Sequence, residues 1–388
     1  MSLARDVSLA AVAAGFVTVL VGFTSSAALV FQAARAFGAT PDEIGSWILA
    51  LGVGMGATCI ALSLRYRVPV VTAWSTPGAA MLITAAAGVS MQEAIGAFLV
   101  CALLITIAGY SGLFERLLAR IPLSIAAAML AGVLLRFGID VFTAMNAQFA
   151  LAATMVAIYL VMRRLRPRYA VILALLAGVA VAAFQGTLHL AAVQFELARP
   201  VFVTPAWSAA SLIGISLPLF VVTMASQNVP GVATMRASGY APPISPIIGA
   251  TGVATLLLAP FGAFALNLAA ITAAICMGRE AHEDPARRYV AAIAAGVFYL
   301  VLGLFGATVG ALFAAFPREL VLAIAGLALF GTIGGALAQA LGDEYEREPA
   351  LITFLVTASG LTLGGVGSPF WGLVAGGIAR LVLPRRHT

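Results

Sequence analysis

Lysine is absent from this chain of 388 residues; all 21 basic side chains are Arg. Charge of either sign is scarce, at 9% of residues. A soluble domain carries about 25%. Hydrophobic residues make up 62%, and mean hydropathy is +1.07. A soluble core of this size cannot hide so much apolar surface, so lipid is the expected solvent for most side chains. Cysteine is also rare. Cys59, Cys101 and Cys276 lie far apart inside apolar runs, which excludes a disulfide framework or a cysteine metal cluster. A cleavable leader is not expected either. The first apolar run, Val7 to Ala34, covers 28 residues, whereas a signal core covers about 7–15. It reads as a first membrane span. No acid pair, nucleophile or metal-ligand set falls inside the apolar runs, so no enzyme activity, cofactor or metal is expected. The net charge of +6 forms no nucleic-acid stripe, because the Arg residues sit at the ends of apolar runs.

Cutting the chain at its charges leaves twelve uncharged runs, the fifth and sixth being 121–135 and 141–162. Two runs are long enough to fold twice. Run 237–278 divides near Pro260, and run 349–379 divides at the loop sequence Gly364 to Pro369. The expectation is an all-α polytopic membrane protein of about fourteen segments. With the N-terminus placed in the cytoplasm, 17 Arg fall at cytoplasmic ends, including Arg5, Arg380, Arg385 and Arg386. Four (Arg35, Arg136, Arg199 and Arg318) fall outside. Both termini are therefore expected in the cytoplasm. The longest outer connection, roughly Gly186 to Pro205, divides the segments seven and seven. An odd number per half makes the halves inverted repeats, a common transporter plan.

The third segment of each half is interrupted. In the first half, β-branched Val70, Val71 and Thr72 follow a proline, and an extended stretch is expected. Thr76 then reads as a helix N-cap with Pro77 at the first helical position, opening a half-length helix from Gly78. In the second half, Pro260-Phe261-Gly262 breaks the helix, and Asn267 reads as the cap of a short helix running to about Met277. Paired interrupted segments are the best sequence pointer to a transporter site. Two helix N-termini near the midplane attract an anion. In the eighth segment, Ser226, Gln227 and Asn228 are consecutive polar residues that need partners in a low-dielectric setting. They read as a substrate-facing patch or, alternatively, as a helix cap. Trp74, Phe261 and Phe264 lie beside the broken regions and offer aromatic faces, although isolated aromatics usually just pack. Asp140 lies four residues after Arg136, and reads as a surface pair or a coupling relay. Gly52/Gly56, Gly306/Gly310, Gly331/Gly335 and Gly372/Gly376 are spaced for close helix packing.

The segments Ser226 to Tyr240, Trp74 to Ala80 and Pro260 to Asn267 resemble the benzoate:proton symporter (BenE) family, and the resemblance extends over essentially the whole chain. That family is distantly similar to the nucleobase transporters such as the uracil:proton symporter. The resemblance implies two inverted halves, with short extended stretches meeting at the substrate in segments 3 and 10. It implies a core domain from 1–112 and 196–315, and a gate domain from 113–195 and 316–388, working as an elevator. Ser75, Thr76, Ser226, Gln227, Asn228, Gly262, Phe264 and Asn267 become the substrate-binding candidates. Trp74 and Phe261 are the stacking candidates, and Asp140 the coupling candidate. The uracil transporter carries glutamates in segments 8 and 10, near the positions of Ser226 and Leu266 here. Their absence suits an anionic substrate and leaves the proton route open. The implied partners are a benzoate-like anion, a proton and the lipid of a bacterial inner membrane, with a homodimer left open. A nucleobase transporter of the same fold and an anion channel are the competing functions.

Overall fold

The computed structural model describes residues 6–86, 88–118, 121–188, 197–306, 308, 316–361, 363 and 368–383. The loop read at 364–367, Gly310, and the terminal Arg5, Arg385 and Arg386 lie outside these residues. The first half contains α1 (Leu9–Ala36), α2 (Pro41–Tyr66), β1 (Thr72–Trp74), α3 (Thr76–Ala85), α4 (Met91–Tyr110) and α5 (Leu113–Leu118). It continues with α6 (Leu123–Ala147), α7 (Phe149–Leu165) and α8 (Ala170–Phe184). The second half opens with α9 (Ala209–Ala237), α10 (Ile244–Leu258), β2 (Leu266–Leu268) and α11 (Ile271–Met277). It closes with α12 (Tyr289–Leu304), α13 (Arg318–Ala340), α14 (Arg347–Ala358) and α15 (Ser368–Val382).

Local chemistry sets several of these boundaries. Thr40 and Ser90 each accept a hydrogen bond from the amide three residues on, and Glu43 and Glu93 bond back to the cap amides. These capping boxes satisfy donors that a helix start leaves open. Among the described residues, six helices are long and apolar enough to cross a membrane, or seven if α13, which is bent, counts as one span. The division at Arg136–Asp140 does not occur. Helix α6 runs through both residues and ends at Ala147, with the turn at Gln148. The two charges lie four apart on one exposed helix face, so they solvate that face without ending the helix.

Two groups of helices pack within themselves. α12 lies along α2 and α1, and α10 lies along α4. α13 lies along α6, α14 packs on α15 and α6, and α7 packs on α8. Small residues bring the backbones together. A Cβ at Gly52 would sit 2.5 Å from Gly303 Cα, and one at Gly376 would sit 1.8 Å from Thr353 Oγ1. Large apolar side chains face outward, Phe184 at 94% exposure among them, as expected of a lipid-facing surface.

The two strands form an antiparallel ribbon, with Ala73 opposite Asn267 and Trp74 opposite Leu266. Non-helical backbone at membrane depth must find partners inside the protein, and helices on either side supply them. Ser63 Oγ accepts from Val70 N at 3.0 Å and donates to Val70 O at 3.1 Å. Cys59 Sγ accepts from Thr72 N at 3.2 Å. On the other strand, Thr255 Oγ1 accepts from Leu266 N at 3.1 Å and Asn228 Oδ1 from Leu268 N at 2.9 Å. The backbone reaches β2 through Gly262, whose φ of +99° follows a 3-10 turn at Ala259–Phe261. That left-handed angle suits glycine. A side chain there would also strike Trp47.

Candidate functional site

Helix α9 is not a uniform α-helix. It widens into π turns at Leu212–Ser216 and Met224–Asn228. Each precedes or overlaps the turn before a proline, Pro218 and Pro230. Pro230 has no N–H to offer the carbonyl of Ser226, and its ring crowds that carbonyl, so the turn expands. The three polar residues then take different tasks. Ser226 and Gln227 line a cavity. Asn228 is fully buried, with its amide oxygen on β2 and its Nδ2 3.1 Å from Met224 Sδ.

The cavity measures about 510 Å³. One wall is the ribbon and its short helices, through Trp74, Thr76, Pro77 and Ala269 to Thr272. α1 contributes Val21, Gly22, Ser26 and Leu29, and α12 contributes Tyr299. The opposite wall comes from Val133 and Phe137 of α6, with Gly360, Ser368 and Pro369. No charged side chain is among its described lining residues. Trp74 is held by a hydrogen bond from its Nε1 to Ser26 Oγ at 2.9 Å, and Ser26 donates in turn to Gly22 O. The indole packs edge-on against Phe23. Its ring is thus fixed by two contacts, one of them to Ser26 of the cavity wall.

Several expected roles change. Thr76 is the first residue of α3 and not its cap. Ser75 is the cap, accepting from Gly78 N at 3.1 Å. Both residues precede Pro77, but only Ser75 holds extended backbone. Asn267 caps no helix. It sits in the middle of β2, donates from Nδ2 to Ala265 O at 2.9 Å, and is fully buried. Ala265 has φ +40°, an uncommon angle for a residue with a side chain, and the Asn267 amide holds its carbonyl. The short helix α11 starts at Ile271 after Ala270, with no side-chain cap. Phe264 is buried against Trp47 and Phe98, and Phe261 packs on Phe202. Neither lines the cavity, and neither do Ser75, Gly262, Asn228 or Asn267. Asp140 stands 4.0 Å from Arg136, whose side chain is 88% exposed, and it also lies off the cavity. The lining residues Ser26, Phe137 and Tyr299 come from segments without a visible break. A lone polar or aromatic residue in an apolar run carries no signal of what it faces.

Ion pairs gather away from this cavity. Arg163 at the end of α7 pairs with Glu280, after α11, at 2.7 Å. The Glu280 side chain is 3% exposed and that of Arg163 is 36% exposed. The pair borders a second cavity of about 520 Å³, which Ala336 of α13 also lines. Asp6 accepts from Tyr289 Oη at 2.8 Å and lies 3.6 Å from both Arg67 and Arg287. Arg380 donates to Glu346 at 2.8 Å, and Ser124 donates to the same carboxylate.

The first cavity combines a clamped indole, a phenol, a phenyl ring and a few neutral polar groups in an apolar wall. That composition fits a flat aromatic solute with one polar end. Comparison with known proteins bears on the chain as a whole. The inner membrane protein YdcO of Escherichia coli (strain K12) is 51% identical over 370 residues, covering 95% of each chain. The benzoate membrane transport protein of Acinetobacter baylyi is 42% identical over 382 residues, covering 98% of this chain and 97% of its own. Among solved structures, the transmembrane domain of the cyanobacterial bicarbonate transporter BicA aligns at 12% identity and TM-score 0.43. That alignment covers 95% of this chain and 97% of BicA's domain. SLC26A9 aligns at 11% identity and TM-score 0.46, over 93% of this chain and 66% of its own. The model of the BenE family, benzoate membrane transport protein, matches residues 5–382, and the chain belongs to that family of membrane transporters.

Proposed function

We propose that the protein is a secondary transporter that takes up benzoate or a similar aromatic carboxylate together with a proton. The observation that carries this reading is the uncharged cavity beside the ribbon, taken with a relative named for benzoate transport at 42% identity. The ring would lie between Trp74 and Phe137. The carboxylate would turn toward Gln227 and Thr76. A carboxylate leaving water needs several donors to offset its desolvation, and a nearby acid would repel it. A neutral nucleobase would instead call for an acceptor, and the described lining offers no carboxylate.

Fourteen segments account best for the alternation of helices, with β1–α3 and β2–α11 each counted as one. The core is then residues 1–112 and 196–315, and the gate residues 113–195 and 316–388. The two packing groups follow this division, and the cavity lies at their seam. Sliding of the core, which carries the ribbon, past α6, α14 and α15 would expose the cavity to either side. With both termini on the Arg-rich side, the positive-inside rule puts them in the cytoplasm. A calorimetric screen of purified protein against benzoate, substituted benzoates and uracil tests the substrate class. Benzoates should bind and uracil should not; the reverse order would refute it.

A further inference from the structure

Tyr299 belongs to α12, in the middle of an apolar run, and its side chain is buried at 2% exposure. It nevertheless lines the 510 Å³ cavity. Its hydroxyl has no hydrogen-bond partner among the described residues. A hydroxyl that faces an apolar cavity with no protein partner forfeits the hydrogen bonds it made in bulk water and needs a water or a ligand to supply them. An apolar wall would be served better by phenylalanine. Space has been kept open beside the hydroxyl. A Cβ on Gly22 would approach it to 3.1 Å and Thr272 Cγ2 to 3.4 Å, and both residues line the cavity. The other aromatic donor, Trp74 Nε1, is already engaged by Ser26.

We propose that the Tyr299 hydroxyl is a binding donor for the substrate carboxylate, in a recess that Gly22 keeps open. This deepens the reading of the cavity as an aromatic-carboxylate site and rests on it. A phenol O–H donating to a carboxylate is a short, charge-assisted bond and stronger than a neutral one. It also selects a ligand with an acceptor at that end of the cavity, while Trp74 and Phe137 select the ring.

Tyr299→Phe removes one oxygen and keeps the ring. Benzoate affinity, measured by calorimetry on purified protein, should fall about tenfold, while the melting temperature without ligand stays within about 2 °C of wild type. Gly22→Ala, which crowds the recess and leaves the hydroxyl in place, should weaken benzoate to a similar degree. Wild-type benzoate affinity in both variants would overturn the assignment while leaving the benzoate reading intact. A lower melting temperature with unchanged affinity would make Tyr299 a packing residue and would also overturn it. A wild-type protein that binds no aromatic carboxylate would instead bring down the reading of the cavity, and this inference with it.

Discussion

Gln227 and Asn228 are adjacent amides with opposite duties, and substitution should separate them. Asn228→Ala strips the acceptor from Leu268 N, leaving a buried donor unmatched at a cost of about 1–3 kcal/mol. Asn267→Ala releases the strained Ala265 carbonyl at a similar cost. Both variants should melt earlier in detergent. Gln227→Ala should melt like wild type and bind benzoate about tenfold more weakly. Equal melting of all three variants would contradict the division. The sequence makes the Ser226–Asn228 cluster conspicuous, because amides in an apolar segment demand partners. It does not say which amide faces which partner, since a π turn changes the facing of successive residues. Asn267 reads as a cap because a small polar residue before an apolar stretch looks the same whether it opens a helix or pairs across strands. Tyr299 is illegible for a different reason: its significance lies in Gly22 and Thr272, which are distant in sequence.

At the scale of elements, breaks in the chain are the legible features. Proline, β-branched residues and Gly262 betray both interrupted segments, because each restricts the backbone locally. The run through Arg136 and Asp140 misleads, since an exposed helix face accepts charge without ending. The π turn at Met224–Asn228 is the element that aims Gln227. Pro230→Ala restores an N–H and permits a regular helix, so benzoate binding should weaken while thermal stability holds or rises. Stronger binding would contradict this role for the bulge. Outside the spans, Glu115 of α5 accepts from Ser245 N at 2.8 Å at the start of α10. Burial pushes its carboxyl up. The hydrogen bonds from Ser245 and Ile244 and the charge of Arg236 outweigh that, and hold it below the usual glutamate range. A lowered folded value means that the contact stabilises above the ordinary glutamate pKa and is lost as pH falls. Melting between about pH 6 and about pH 3 should therefore depend less on pH in Glu115→Gln than in wild type. The group is only partly buried at the protein surface, so the difference should be small. Identical pH profiles would show that the contact adds nothing.

For the whole molecule, the proposed transport cycle requires two bodies that move past each other, joined by contacts that can break. Arg163 and Glu280 span the proposed core–gate seam, and Glu280 Oε2 has no hydrogen-bond partner among the described residues. The half-exposed Arg163 can return to water, and the adjoining cavity can hydrate the released carboxylate. Glu280→Gln should loosen the seam and raise, about fivefold, the thiol labelling of a cysteine placed at Ala336, which is 5% exposed on that cavity's wall. The native cysteines are buried and should stay silent. Unchanged labelling would place the pair within one rigid body. The central claim is that the cavity carries an aromatic carboxylate against its gradient with a proton. Uptake of radiolabelled benzoate into proteoliposomes under an imposed pH gradient tests it most directly. Saturable accumulation that collapses when a protonophore dissipates the gradient, and that Gln227→Ala impairs, is the predicted result. Flux that rises linearly with benzoate concentration, or ignores the pH gradient, would contradict it.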